Sequence, residues 1–297
     1  MQTTDSHKKH RRDRRDGWYL SKLDSMHIIM PYAFPRRCDN EAVLGEVLDM
    51  TEIDKFLQRK NAENPDFKYT WFHVITAILA KTLMQRPKMN YFISGYRMYE
   101  RKDISLAFNV KRKFEDNSEE AMAKFVLDRQ GGSVIEQVHS YVRDFVNAVR
   151  VHDKTVGITN EFNALQHLPR PVLRFVVWVL SRLEYHGWYP KSMEKDDPSY
   201  SSIYITNLGS IKMNADYHHL FQWGTMSFFV VIGEKKLRPF FKEDGTYELR
   251  NTIKVGITID ERIADGYYFA KTLRLVRHLV QHPELLELDA AVPVEFE

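Results

Sequence analysis

Between Thr70 and Pro87 the apolar side chains recur at Trp71, Val74, Ile75, Ile78, Leu79 and Leu83, the spacing that gathers them on one side of an α-helix. Pro87 ends that helix, because proline lacks the backbone donor a further turn would need. The same period in SVIEQVHSYVRDFVNAV (133–149) predicts a second helix. Shorter runs rich in β-branched and aromatic residues predict strands: AVLGEVLDM (42–50), ISLAFNV (104–110), SSIYI (201–205) and FFVVIG (228–233). TEIDKFLQRK (51–60) reads as a short helix with Thr51 near its start. KLRPFF (236–241) and TYELRNTIKVGITI (246–259) flank Asp244-Gly245, the signature of a tight hairpin. A last helix starts at Asp265, whose carboxylate can cap it, and runs through Phe269, Leu273, Val276 and Val280 to Pro283. Helices early and strands late predict an α/β (α+β) two-layer sandwich with a mixed sheet.

LPRPVLRFVVWVLSRLEYHGW (168–188) departs from this pattern, because its apolar residues from Val172 to Leu183 nearly circle the helix and spare only Arg174, Ser181 and Arg182. Such a helix is expected in the core or in a subunit interface, with an apolar substrate tunnel or a membrane-surface contact as the alternatives. It is too short and too charged to span a bilayer.

At 297 residues, 43% of them hydrophobic, the chain can bury a sizeable core. It carries no repeat and no Gly/Ser-rich linker, so residues 18–297 are expected to form a single domain. Of 43 Lys and Arg and 40 Asp and Glu, residues 1–16 hold six and three, which leaves the body neutral. Residues 1–17 are accordingly expected to be a basic, disordered tail. No nucleic-acid motif accompanies it, and no nucleic-acid partner is expected. Cys38 is the sole cysteine and the N-terminus has no apolar signal segment, features that fit a reducing cytoplasm.

Four stretches carry a resemblance: TWFHVITAILAKTLMQRPKMN (70–90), YITNLGSI (204–211), VVIGEKKLRPFFKEDGTYELRNTIKVGITID (230–260) and ERIADGYYFAKTLRLVRHLVQHPELL (261–286). Together with AVLGEVLDMTEI they resemble the catalytic core of the dihydrolipoyl acyltransferases of 2-oxo-acid dehydrogenase complexes, which shares its fold with chloramphenicol acetyltransferase. The resemblance implies a chloramphenicol acetyltransferase-like sandwich that forms homotrimers or multiples of trimers. It also implies active sites between subunits, where a coenzyme A thioester and a small-molecule acyl acceptor enter one channel from opposite ends. The chain has no room for a lipoyl or subunit-binding domain, so a stand-alone relative is expected.

Acyl transfer needs a base for the acceptor's proton and a donor to the tetrahedral oxyanion. The family motif His-x-x-x-Asp-Gly places its basic His at Glu261, its Asp at Asp265 and its Gly at Gly266, with Arg262 at the position after the His. The family's oxyanion-binding Ser falls on Thr206, followed by Asn207 and Gly209. The donor hydroxyl is therefore kept and the imidazole is replaced. An ordinary glutamate titrates near about 4.3, too low for an efficient base at neutral pH. Glu261 is thus open to three readings: an altered base or substrate-contacting acid, the mark of an inactive relative, or a structural carboxylate paired with Arg262. Asp265 is expected to pair with Arg36 or Arg37, as the family's Asp pairs with an Arg. His218 and His219, in DYHHLF (216–221), could supply the missing imidazole, although a His pair is also a common structural feature.

His278 and His282 stand four apart on the last helix without further ligands, so no metal is expected. Cys38 has no assigned His partner, and Ser210 lacks a G-x-S-x-G elbow. No phosphate-binding glycine motif occurs. An acyltransferase and a non-catalytic trimer that binds an acyl compound or a protein partner remain as the two functional readings.

Overall fold

A computed structural model describes residues 9–111, 120–150, 165 and 167–296. In chain order its elements are β1 (Gly17–Tyr19), α1 (Ser25–Ala33), β2 (Glu41–Asp49), α2 (Thr51–Ala62), α3 (Trp71–Gln85), β3 (Tyr91–Ser94), β4 (Arg97–Arg101), β5 (Ser105–Lys111), β6 (Glu120–Val126), α4 (Val134–Arg150), α5 (Arg170–Tyr185), α6 (Lys191–Asp196), β7 (Ile203–Asn207), β8 (Phe228–Phe241), β9 (Tyr247–Asp260) and α7 (Gly266–Gln281). The main sheet runs β2-β9-β8-β7-β5-β6. It is mixed, since β7 lies parallel to both β5 and β8 while the other neighbours are antiparallel.

Alternation along the strands sorts their side chains onto two faces. Ile203 and Ile205 of β7, with Leu106, Phe108, Val230 and Ile257, join the core built with α2, α3, α4 and α7. Tyr204, Ala107, Phe229 and Val231 point the other way and form a smaller cluster with Ala215, Leu220 and Met226. These four helices therefore cover one face only, giving the expected two-layer sandwich. The second face is roofed by the chain between β7 and β8. FFVVIG and KLRPFF prove to be one continuous strand, β8, with an irregularity between Ile232 and Lys235. Buried Lys81 donates to the carbonyls of Asp289, Ala290 and Val292, which ties the C-terminal segment to α3.

A second sheet, β1-β4-β3, was not foreseen. Its β3–β4 hairpin turns at Gly95 and Tyr96, both at positive φ, a mirror-image turn that the tyrosine conceals in the sequence. Of the expected tail, residues 1–8 lie outside the described residues. Arg14 is 7% exposed, pairs with Asp16 at 2.8 Å and donates to Ser94 Oγ at 2.7 Å. Of the two places expected for 168–188, the core and a subunit interface, one copy of the chain excludes the core. No side chain of α5 is fully buried, because the helix lies outside the sandwich with Glu184 turned toward Ser94 and Arg14.

Candidate functional site

Thr206 lies on β7, half-buried, on the sheet face away from the helical core. Just beyond it the chain turns through Leu208–Ile211, where Asn207 Oδ1 accepts the Ser210 N–H at 3.2 Å and Ser210 Oγ donates to the Asn207 carbonyl at 2.8 Å. Gly209 sits against the Gly233 carbonyl so closely that a Cβ would come within 2.5 Å of that oxygen. The turn can rest on β8 only with glycine there.

From this turn the chain passes back over the open face and encloses, with the sheet, a cavity of about 260 Å³. Asn109, Tyr204, Thr206, Asp216, His218 and Phe229 contribute to its wall. The Tyr204 hydroxyl donates to Asn109 Oδ1. The His218 ring stacks on Phe229 at 4.1 Å, and its Nδ1 lies 2.7 Å from the His219 carbonyl oxygen. A carbonyl can only accept, so Nδ1 carries the proton and Nε2 of the neutral ring keeps a lone pair. Thr206 and His218 are thus brought to one cavity. His219 stacks on His218 at 4.5 Å but is exposed and does not line it.

The 260–266 motif builds a different arrangement. Glu261 opens the short turn Glu261–Ile263, is exposed, and makes no side-chain hydrogen bond or ion pair among the described residues. The pairing with Arg262, one of the three readings open to it, is not formed among the described residues. Arg262, 1% exposed, instead grips Asp260 through Nε–Oδ1 at 2.8 Å and Nη2–Oδ2 at 2.6 Å, and donates to the Phe34 carbonyl at 2.8 Å. Nor does Asp265 meet Arg36 or Arg37. It caps α7 by accepting the Tyr268 N–H at 2.8 Å, and that bond holds its carboxyl below the usual range. Arg37 faces Asp260 at 3.8 Å, donates to the Phe221 and Gly224 carbonyls, and is held below its ordinary pKa by burial. The carboxylate that pairs with arginine is therefore Asp260, because the end of β9 points inward whereas the start of a helix needs Asp265 for its own amides. Gly266 begins α7 with open space where a Cβ would stand.

Strand register sets the distance between the two groups. Thr206 pairs with Val231 and Val231 with Gly256, and Asp260 lies four residues further along β9. At about 3.4 Å per residue and about 4.8 Å per strand, Asp260 is roughly 14 Å along and roughly 10 Å across from Thr206. One copy of the chain does not bring the Glu261 turn to the Thr206 cavity.

The His278 and His282 rings lie 4.7 Å apart, tilted at 42°, with Glu284 3.3 Å from His282 Nδ1. Among the described residues no three His, Cys, Asp or Glu converge in a manner suited to a metal. Cys38 is exposed. Tyr204, Asn109 and Asp216 were overlooked in the sequence. Alternation in IYITN would have put Tyr204 on the side of Thr206, whereas Asn109 reaches the cavity only through the pairing of β5 with β7.

The sheet order, the single helical layer and the open face beside Thr206 define a chloramphenicol acetyltransferase-like sandwich. Residues 190–288, which include Thr206, His218 and the Glu261–Gly266 motif, match the family described as 2-oxoacid dehydrogenases acyltransferase (catalytic domain). The family resemblance read from the sequence holds over that part of the chain. Among solved structures the chain is similar to the dihydrolipoamide acetyltransferase of Azotobacter vinelandii, with 13% identity, 91% of this chain and 94% of that one covered, and a TM-score of 0.58. A probable dihydrolipoamide acetyltransferase from Listeria monocytogenes gives 13%, 90%, 95% and 0.56, and a chloramphenicol acetyltransferase 11%, 89%, 99% and 0.55. At these identities the likeness is one of fold. No curated protein sequence matches the chain.

Proposed function

We propose that this protein transfers an acyl group from a coenzyme A thioester to a small-molecule thiol, hydroxyl or amine acceptor. The observation that carries the reading is the shared cavity of Thr206 and His218, in which the His218 tautomer leaves Nε2 free to accept a proton. In this reading Nε2 takes the acceptor's proton as the acceptor attacks the thioester carbonyl. The Thr206 hydroxyl donates to the resulting oxyanion. Collapse then breaks the carbon–sulfur bond, and the imidazolium returns the proton to the departing thiolate. Acyl product and free coenzyme A thiol leave.

We infer that the chain works as a homotrimer or a multiple of trimers. Support comes from the far end of the β8–β9 hairpin, where Leu237, Phe241, Tyr247 and Leu249 are all exposed and would be covered by a neighbouring copy. Glu261 would act as base only if such a neighbour carried its turn to the cavity.

The test follows free thiol release from a panel of acyl-CoAs with mixed acceptors. Wild type is compared with His218→Gln, Glu261→Gln and Glu261→His. Turnover lost in His218→Gln and kept in Glu261→Gln supports the reading. Loss in Glu261→Gln alone makes Glu261 the base. Silence in wild type with activity in Glu261→His identifies a relative that kept the fold and gave up the chemistry, and silence throughout favours a non-catalytic binding protein.

A further inference from the structure

A surface helix ordinarily turns its polar side outward. Helix α5 turns aromatic rings outward as well. At 100° per residue, Pro171, Arg174, Phe175, Trp178, Arg182 and Tyr185 fall within a sector of about 100°. That sector lies opposite the half-buried Leu173, Val176, Leu180 and Leu183. Phe175 is 63% and Trp178 55% exposed, their rings stack at 6.0 Å, and the Arg182 guanidinium lies 5.7 Å from the Trp178 ring. An open hollow lined by Pro171, Arg174, Phe175 and Trp178 sits on this face. Just past the helix Trp188 is also exposed.

The apolar face does not end with α5. Tyr185 touches Tyr96, and Tyr96 stacks on Tyr32 of α1 at 5.2 Å. Met26, Ile29 and Tyr32 of α1 are exposed in turn. Charge along the helix runs one way. Arg170, Arg174 and Arg182 are exposed, whereas the acid of the helix, Glu184, is turned inward, 3.0 Å from Ser94 Oγ and 3.7 Å from Arg14.

We propose that the outward face of α5, continued by α1, rests on the surface of a membrane that contains anionic lipid. Rings at this depth enter the boundary between headgroups and acyl chains, and the arginines between them meet lipid phosphates. A membrane supplies both at once, which matches aromatic and cationic side chains that alternate on a single stripe. Among the described residues no helix is long and apolar enough to cross a membrane. The helix lies on the bilayer.

The experiment sediments the whole protein with vesicles of phosphatidylcholine alone and of phosphatidylcholine with phosphatidylglycerol, at low and high salt. Binding to the phosphatidylglycerol vesicles that weakens with salt is expected. Phe175→Ser/Trp178→Ser should lower the partition coefficient by more than about tenfold, and Arg174→Gln/Arg182→Gln should erase the preference for the anionic lipid, both with unchanged thermal melting. Absence of vesicle binding, or binding that survives the loss of both rings, overturns the proposal. So does a vesicle-free sedimentation coefficient that falls in the ring variant, which would make the face a contact between copies.

Discussion

Arg262 holds Asp260 through two parallel hydrogen bonds of 2.8 and 2.6 Å, with both side chains sealed from solvent. The same guanidinium reaches the Phe34 and Pro35 carbonyls, so the pair fastens the segment after α1 to the end of β9. Asp260→Asn would leave Arg262 and Arg37 facing each other without a full counter-charge. Breaking a buried pair from one side costs about 3–5 kcal/mol. Urea unfolding should register a loss of that order, while Glu261→Gln, one residue on and exposed, should leave the midpoint unchanged.

Thr206→Ala should lower the turnover rate by about 10²–10³, the usual effect of removing one oxyanion donor, with Thr206→Ser retaining most of it. Steady-state kinetics on whichever acyl-CoA and acceptor pair proves active would measure this. An equal rate in the alanine variant would remove Thr206 from the chemistry.

The base in the proposed mechanism is lost in His218→Gln, which should lower kcat/KM by about 10²–10⁴. Glu261→Gln should leave it unchanged. Steady-state kinetics on the two variants distinguishes the bases.

His73, 2% exposed, accepts the Thr70 N–H at 3.0 Å. Burial first, and the nearby His139 second, lower its pKa from 6.5 to about 3. The folded state thus binds the proton less readily than the unfolded state. Stability from this group is complete above pH 6.5 and is lost as pH falls toward 3. The loss has a slope of at most about 1.4 kcal/mol per pH unit. Thermal melting between neutral and acid pH should fall, and fall less steeply in His73→Gln.

Gly209→Ala would set a methyl carbon 2.5 Å from the Gly233 carbonyl oxygen. Neither backbone can yield cheaply, so the turn after Thr206 must shift, at a cost of about 1–3 kcal/mol. Melting temperature and acyl transfer should decline together. A stable variant with reduced transfer would show that the turn moves without strain to the rest of β8.

Much of the fold was legible because its elements depend on near neighbours. The period in 70–87 gave α3, Asp244-Gly245 gave the β8–β9 turn, and Asp265 gave the cap of α7. The second sheet was missed where a tyrosine occupies a positive-φ position, and the place of α5 stayed open because apolar content alone does not say what covers it. The site was legible as a motif but not as a geometry.

By itself the sequence determined the two-layer mixed-sheet architecture, the family likeness, the hydroxyl at Thr206 and the Glu where the family motif has His. Only the tertiary structure decided that Arg262 takes Asp260, that Asp265 serves the helix, and that His218 shares a cavity with Thr206. Helix caps and strand alternation are fixed by residues a few positions apart. The parallel pairing of β7 with β5 and β8, the return of the chain over the open face, and the burial of Arg37 against Asp260 join distant segments. Such contacts depend on sheet register and burial, which no local pattern records.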